Sequence, residues 1–149
     1  MKIVEIEYLG IKENKEYENI INDVVYKCFK TEGLLSKKLY VNIILTNSEE
    51  IQKINLKYRN IDKPTDVLSF PMFEKNEIPL ISEEVEEVLG DIVISIERVI
   101  EQGIEFGHGF NRELSYMVVH GFYHLMGYDH IKEEDKKIMR QKEEGVLSK

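Results

Sequence analysis

Three of the four histidines in this 149-residue chain fall within eleven residues, His120-Gly-Phe-Tyr-His124-Leu-Met-Gly-Tyr-Asp-His130. On a helix, His120 and His124 stand one above the other, because side chains four apart share a face. Gly127 predicts the helix end, since glycine accepts the left-handed backbone that other residues resist. The chain then doubles back and brings His130 to the first two. Three imidazoles converging on one point describe a catalytic-type zinc site, with the fourth position left for water. The surroundings agree: Leu114 to Tyr128 contains no Asp, Glu, Lys or Arg, in a protein that is 32% charged. Such a helix must be buried on most sides, where three neutral ring nitrogens are costly without partners. A metal satisfies them. A lone histidine there would instead read as a hydrogen-bonded core residue, and His108, in Gly-His-Gly, reads as a loop residue.

The spacing is that of zinc peptidases with H-E-x-x-H-x-x-G-x-x-H, with one departure. The position that holds their general-base glutamate is Gly121 here. Glycine cannot accept a proton from a zinc-activated water, so the cage has peptidase spacing without the peptidase base. Ordinary proteolysis is disfavoured.

The elements that must position these residues are short and interleaved. MKIVEIEYL reads as a first strand. From about Lys15 to Phe29, Tyr17, Ile20, Ile21, Val24, Val25 and Phe29 recur at helical spacing, with Gly33 as the stop. Leu39 to Leu45 is a second strand, and Asn47 and Ser48 open a helix with Ile51, Ile54 and Leu56 on its apolar side. Lys63-Pro64-Thr65 interrupts, because proline disfavours helix in the residue before it. Asp66 to Phe70 is a short strand, 72–87 an acidic solvated loop, and Leu89 to Ile94 a further strand. One helix runs from near Ser95 to near Gly103, the histidine helix starts at Asn111, and Lys132 to about Val146 is a charged terminal helix. The expectation is an α+β fold: a small mixed sheet of about four strands, about five helices, and the metal-site helix central.

Length and composition fit one domain over 1–149, with 42% hydrophobic residues. No apolar run approaches the roughly 20 residues of a membrane span. Glu5 and Glu7 stand where a signal peptide would be apolar, so a cytoplasmic protein is expected. The single cysteine, Cys28, excludes an intramolecular disulfide and a multi-cysteine zinc site, and reads as a small buried hydrophobe. Twenty-eight acids against 20 bases leave a net charge of −8, so this is no generic polyanion binder. One stretch differs: Lys53, Lys57, Arg59 and Lys63 against Asp62 give a local +3.

With these residues in hand, the segment HGFYHLMGYDH resembles the H-G-x-x-H-L-x-G-Y-D-H signature of the YbeY family of bacterial endoribonucleases. Tyr58-Arg59-Asn60-Ile61-Asp62-Lys63-Pro64-Thr65-Asp66-Val67-Leu68-Ser69-Phe70-Pro71 is similar to that family's Y-R-x-x-D-x-P-T-D-V-L-S-F-P block. Leu89-Gly90-Asp91-Ile92 resembles its L-G-D-I strand. The resemblance implies one zinc ion on His120, His124 and His130, and places the family's functional arginine on Arg59. It further implies cleavage of single-stranded RNA, a part in 16S ribosomal RNA 3′-end maturation and ribosome quality control, and contact with the ribosomal subunit or its proteins.

The residues are compatible with that chemistry. Phosphodiester cleavage concentrates negative charge on non-bridging oxygens, which a planar guanidinium matches. Without the resemblance, Arg59 reads equally as a surface arginine at a helix end. Asp66, Asp91 and Asp129 are open as supporting or base residues, and equally as cap or turn residues. Two other functions fit the cage: a zinc hydrolase of peptides or small molecules, and a non-catalytic ribosome assembly factor with structural zinc. The missing glutamate at Gly121 counts against the first. Structural zinc usually has four protein ligands, which counts against the second.

Overall fold

The computed structural model describes residues 2–149. Four strands, β1 (Val4–Tyr8), β2 (Leu39–Thr46), β3 (Val67–Pro71) and β4 (Glu87–Ser95), form one sheet in the order β1-β2-β4-β3. β1, β2 and β4 are parallel neighbours, and β3 runs antiparallel to β4 at one edge. Five α-helices accompany them: α1 (Lys15–Thr31), α2 (Ser48–Arg59), α3 (Ile96–Glu105), α4 (Gly109–Leu125) and α5 (Glu133–Leu147). The mixed α+β architecture expected from the interleaved patterns is present.

Strand alternation decides which helix lies on which face. Val41, Ile43 and Leu45 of β2 and Ile92 and Ile94 of β4 are buried against Val24, Cys28 and Phe29 of α1 and Met117, Val118 and Phe122 of α4. Full burial of side chains of this size is worth roughly 1.5–3 kcal/mol each, so this layer dominates the core. Leu68 and Val93 point the other way and pack with Ile51 of α2. The histidine helix is therefore central, sandwiched between the sheet and α5.

Local chemistry sets the ends of the elements. The side chains of Asn14, Asn47 and Ser95 accept the backbone N–H groups of Glu16, Glu50 and Arg98, capping α1, α2 and α3. Asn60 ends α2 in the left-handed conformation, at φ 59°. The structure corrects the reading of 72–87 as a solvated loop. Lys75–Leu80 forms a 3-10 turn, and Ile78 and Ile81 are buried in the main core. Two isoleucines among acids are too few to show a period, yet enough to anchor the segment. Helix α4 also starts at Gly109, two residues ahead of Asn111, and β4 starts at Glu87. Among the described residues, no helix is long and apolar enough to cross a membrane.

Candidate functional site

His120 and His124 sit in the last turns of α4. The helix stops as Gly127 predicts, with φ of 93° at that residue. The Tyr128 N–H donates to the Tyr123 carbonyl and the Gly127 N–H to that of His124, both at 3.0 Å, closing the helix end with a Schellman pattern. Asp129 then turns the chain, its Oδ1 accepting the N–H groups of His130 and Ile131 at 2.6 and 3.1 Å. His130 is thereby returned to the helix. Its Nδ1 lies 2.9 Å from His124 Nε2, which lies 3.2 Å from His120 Nε2. One ring nitrogen from each of the three falls within 4.8 Å of the others.

The outward nitrogens determine what the inward ones offer. His120 Nδ1 donates to Glu143 Oε2 at 2.7 Å, and His124 Nδ1 donates to the Tyr128 carbonyl at 3.1 Å. With their protons committed outward, both Nε2 atoms turn lone pairs into the same space. Two lone pairs 3.2 Å apart repel unless a positive centre lies between them. Tetrahedral ligands at metal–nitrogen distances of ~2.0–2.1 Å would stand about 3.3 Å apart, close to the 3.2 Å between the Nε2 atoms of His120 and His124. Burial, reinforced by His120 and His130, lowers the His124 pKa to about 4, which keeps that ring neutral and able to ligate. The donor set fits a metal ion.

Gly121, beside the first histidine, has a steric explanation. A Cβ there would meet Ile92 Cγ2 at 2.8 Å and Ser69 Oγ at 3.2 Å. The helix lies against the sheet at this point, and the Ser69 hydroxyl donates to the Gly121 carbonyl at 3.3 Å. The place of a peptidase glutamate is occupied by the sheet.

The histidines open on a cleft of about 450 Å³ between α4 and the edge strand β3. Arg59, Thr65, Asp66 and Ser69 also line it. Arg59 arrives from the last turn of α2, where Asn55 Nδ2 donates to the Lys63 carbonyl at 3.0 Å and ties down the returning loop. Arg59 and the three histidines therefore share one cleft. Asp66 is also there, its Oδ1 accepting the Val67 N–H at 2.8 Å. Asp91 is not: it pairs with Asn42 on the opposite face of the sheet, at 3.0 Å. A larger hollow of about 690 Å³ beside β1 is lined by Glu5, Glu7, Glu13 and Glu18, and brings together no comparable donor set.

His108 lies in the loop before α4, as its Gly-His-Gly setting predicts, and its Nε2 contacts the buried Glu113 carboxylate at 2.5 Å. The basic stretch is weaker than its count, because Lys53 lies 3.3 Å from Glu50 and 3.7 Å from Glu49. Sequence reasoning also missed Glu143. Its signal was present, as Met139, Glu143 and Val146 form the buried stripe of an otherwise charged α5.

The fold and cleft define a class: an α+β protein that presents three imidazoles from one helix and its following turn, open to a cleft. Comparison with known proteins narrows it. The family model described as Endoribonuclease YbeY matches residues 4–149. A protein named endoribonuclease YbeY from Desulforamulus reducens is 45% identical over 143 residues, covering 96% of this chain and 91% of its own. The like-named protein of Fusobacterium nucleatum is 47% identical over 136 residues, covering 91% and 80%. The solution structure of TM1509 from Thermotoga maritima matches with a TM-score of 0.66 at 30% identity, over 97% of this chain and 87% of that one. The chain belongs to the YbeY family of endoribonucleases, hydrolases of phosphodiester bonds.

Proposed function

We propose that this protein is a zinc-dependent endoribonuclease acting on single-stranded RNA, with ribosomal RNA as its substrate. The observation that carries this reading is the shared cleft: a converging three-histidine donor set and Arg59 line the same cavity. His120, His124 and His130 would hold the ion. Zinc bound there supplies Lewis acidity toward water and a phosphoryl oxygen. Arg59 offers a fixed planar donor pair to the non-bridging oxygens as charge develops on them. Glu143 and the Tyr128 carbonyl orient the first two rings and keep their protons on the outer nitrogens. Family membership supports action in 16S ribosomal RNA 3′-end maturation and ribosome quality control, in the cytoplasm and in contact with ribosomal subunits or their proteins.

The peptidase alternative is disfavoured by the packing of Gly121, which leaves no space for a general base at that position. The structural-zinc alternative is disfavoured because, among the described residues, the ligand group contains three members. The deciding experiment compares chelated and zinc-reconstituted protein on labelled unstructured RNA and on casein. Zinc-dependent cleavage of RNA alone is expected. Equal RNA cleavage in both samples, or cleavage of casein, would overturn the proposal.

A further inference from the structure

A second basic site lies on the far side of the turn that carries His130. Lys37, Lys75, Met126 and Tyr128 line a groove of about 340 Å³, together with Glu32. The Lys75 ammonium sits 4.0 Å from the centroid of the Tyr128 ring, and that of Lys142 sits 5.7 Å from the same ring. Lys142 lies 3.5 Å from Glu32, whose Oε2 also accepts the Tyr123 hydroxyl at 3.0 Å. Lys37 donates to the Ile81 carbonyl at 2.8 Å, a bond that leaves its charge unbalanced. Among the described residues, neither Lys37 nor Lys75 has a carboxylate partner. Three cations against one carboxylate give a local +2 on a chain of net −8.

The arrangement is built rather than scattered. The stem of Lys75 packs on the backbone of Gly127, where an added Cβ would meet Lys75 Cβ at 2.6 Å. An ammonium held over an aromatic face is further restrained by the ring quadrupole. The groove also shares its wall with the cleft. His124 and His130 face the cleft, while Met126 and Tyr128, between them in sequence, face the groove. The carbonyl of Tyr128 holds His124 Nδ1 as its ring contacts Lys75.

We propose that this groove binds backbone phosphates of the single-stranded RNA whose scissile bond lies in the cleft, so that the strand crosses the His124–His130 turn. Lys37 and Lys75 bind phosphates removed from the scissile one and touch no reacting atom. This rests on the endoribonuclease reading. It also answers how an acidic protein holds a polyanion: affinity comes from a local site on the exit path of the strand.

The test uses zinc-loaded protein, a trinucleotide and a dodecamer of single-stranded RNA, and the variants Lys75→Gln, Lys75→Arg and Lys37→Gln/Lys75→Gln. For the dodecamer, the double variant should raise KM about tenfold with kcat unchanged, and Lys75→Arg should keep wild-type KM. The log–log salt dependence of dodecamer binding should become shallower by about 0.7 for each phosphate no longer neutralised. The trinucleotide, too short to cross the turn, should respond to no variant. Lys75→Gln alone guards against a folding effect from removal of the Lys37–Ile81 hydrogen bond. Unchanged KM and salt dependence, or equal losses on both lengths, would overturn the groove as an RNA site. Anisotropy of labelled dodecamer needs no cleavage and separates the two readings. Lysine-dependent binding without zinc-dependent cleavage would overturn the activity alone.

Discussion

Glu143, on the last helix, accepts the Nδ1 proton of His120 at 2.7 Å while only 6% exposed. A buried carboxylate against the outer nitrogen of an imidazole fixes its tautomer and raises its basicity as a ligand. Glu143→Gln should therefore weaken zinc binding about 10–100-fold, the usual cost of losing such a partner. Competition against a calibrated zinc chelator measures this directly. Affinity equal to wild type would mean that Glu143 serves packing alone.

Gly121 offers a test of the cleft's shape. Replacing a helical glycine by alanine ordinarily gains up to about 1 kcal/mol in propensity. Here the new methyl would press on Ile92 at 2.8 Å, and overpacking typically costs about 1–3 kcal/mol. The steric effect should win, so Gly121→Ala should lower the melting temperature. Gly121→Glu, which restores the peptidase sequence, should lower it further and create no casein cleavage. A stable Gly121→Glu protein that cleaves casein would show that the helix can lift from the sheet.

Arg59 lines the same cleft as the histidines. If it meets charge that develops in the transition state, Arg59→Ala should lower kcat by about 10²–10³-fold while changing RNA affinity far less. Arg59→Lys should recover part of the rate, since it keeps the charge without the planar fork. Zinc content and melting temperature should stay near wild type. Wild-type turnover by Arg59→Ala at saturating RNA would reduce the arginine to a docking residue.

Cys28 is fully buried on α1, and burial, with Glu32 nearby, raises its thiol pKa to about 12. The thiolate is the reactive form, so the native protein should resist thiol reagents at pH 8 and react once unfolded. The linkage follows the same direction. An unfolded thiol ionises near 9, the folded one near 12, so stability present below pH 9 is lost as pH rises through 12. Rapid native labelling at pH 8 would contradict the buried assignment.

The histidine site was legible because its three donors lie in one helix and the turn that follows, where spacing alone implies convergence. Gly127 signalled that turn, and the uncharged run from Leu114 signalled burial. Strand positions were legible from alternation, but their order was not. That β4 lies between β2 and β3 depends on pairings such as Asn42 with Asp91, far apart in sequence. The same distance hid the lysine groove, assembled from Lys37, Lys75 and Lys142 on three separate segments. Glu143 was obscured differently, by acidic neighbours that made its buried position look like one more solvated charge. Arg59 was visible as a motif residue, yet its place in the cleft depends on how α2 packs against β4, a contact between segments far apart in sequence.

The dependence of His120 on Glu143 also sets an order of events during synthesis. The nineteen residues that follow His124, up to Glu143, take roughly one to four seconds to be synthesised at about 5–20 residues per second. All four strands and the first two ligands precede that interval, while His130 and the carboxylate appear within it or at its end. Every strand of the sheet therefore precedes His130 and Glu143 in the chain, so the donor set is the last part of the cleft to be completed. A chain cut short before Glu143 would keep the sheet while losing the carboxylate that orients His120.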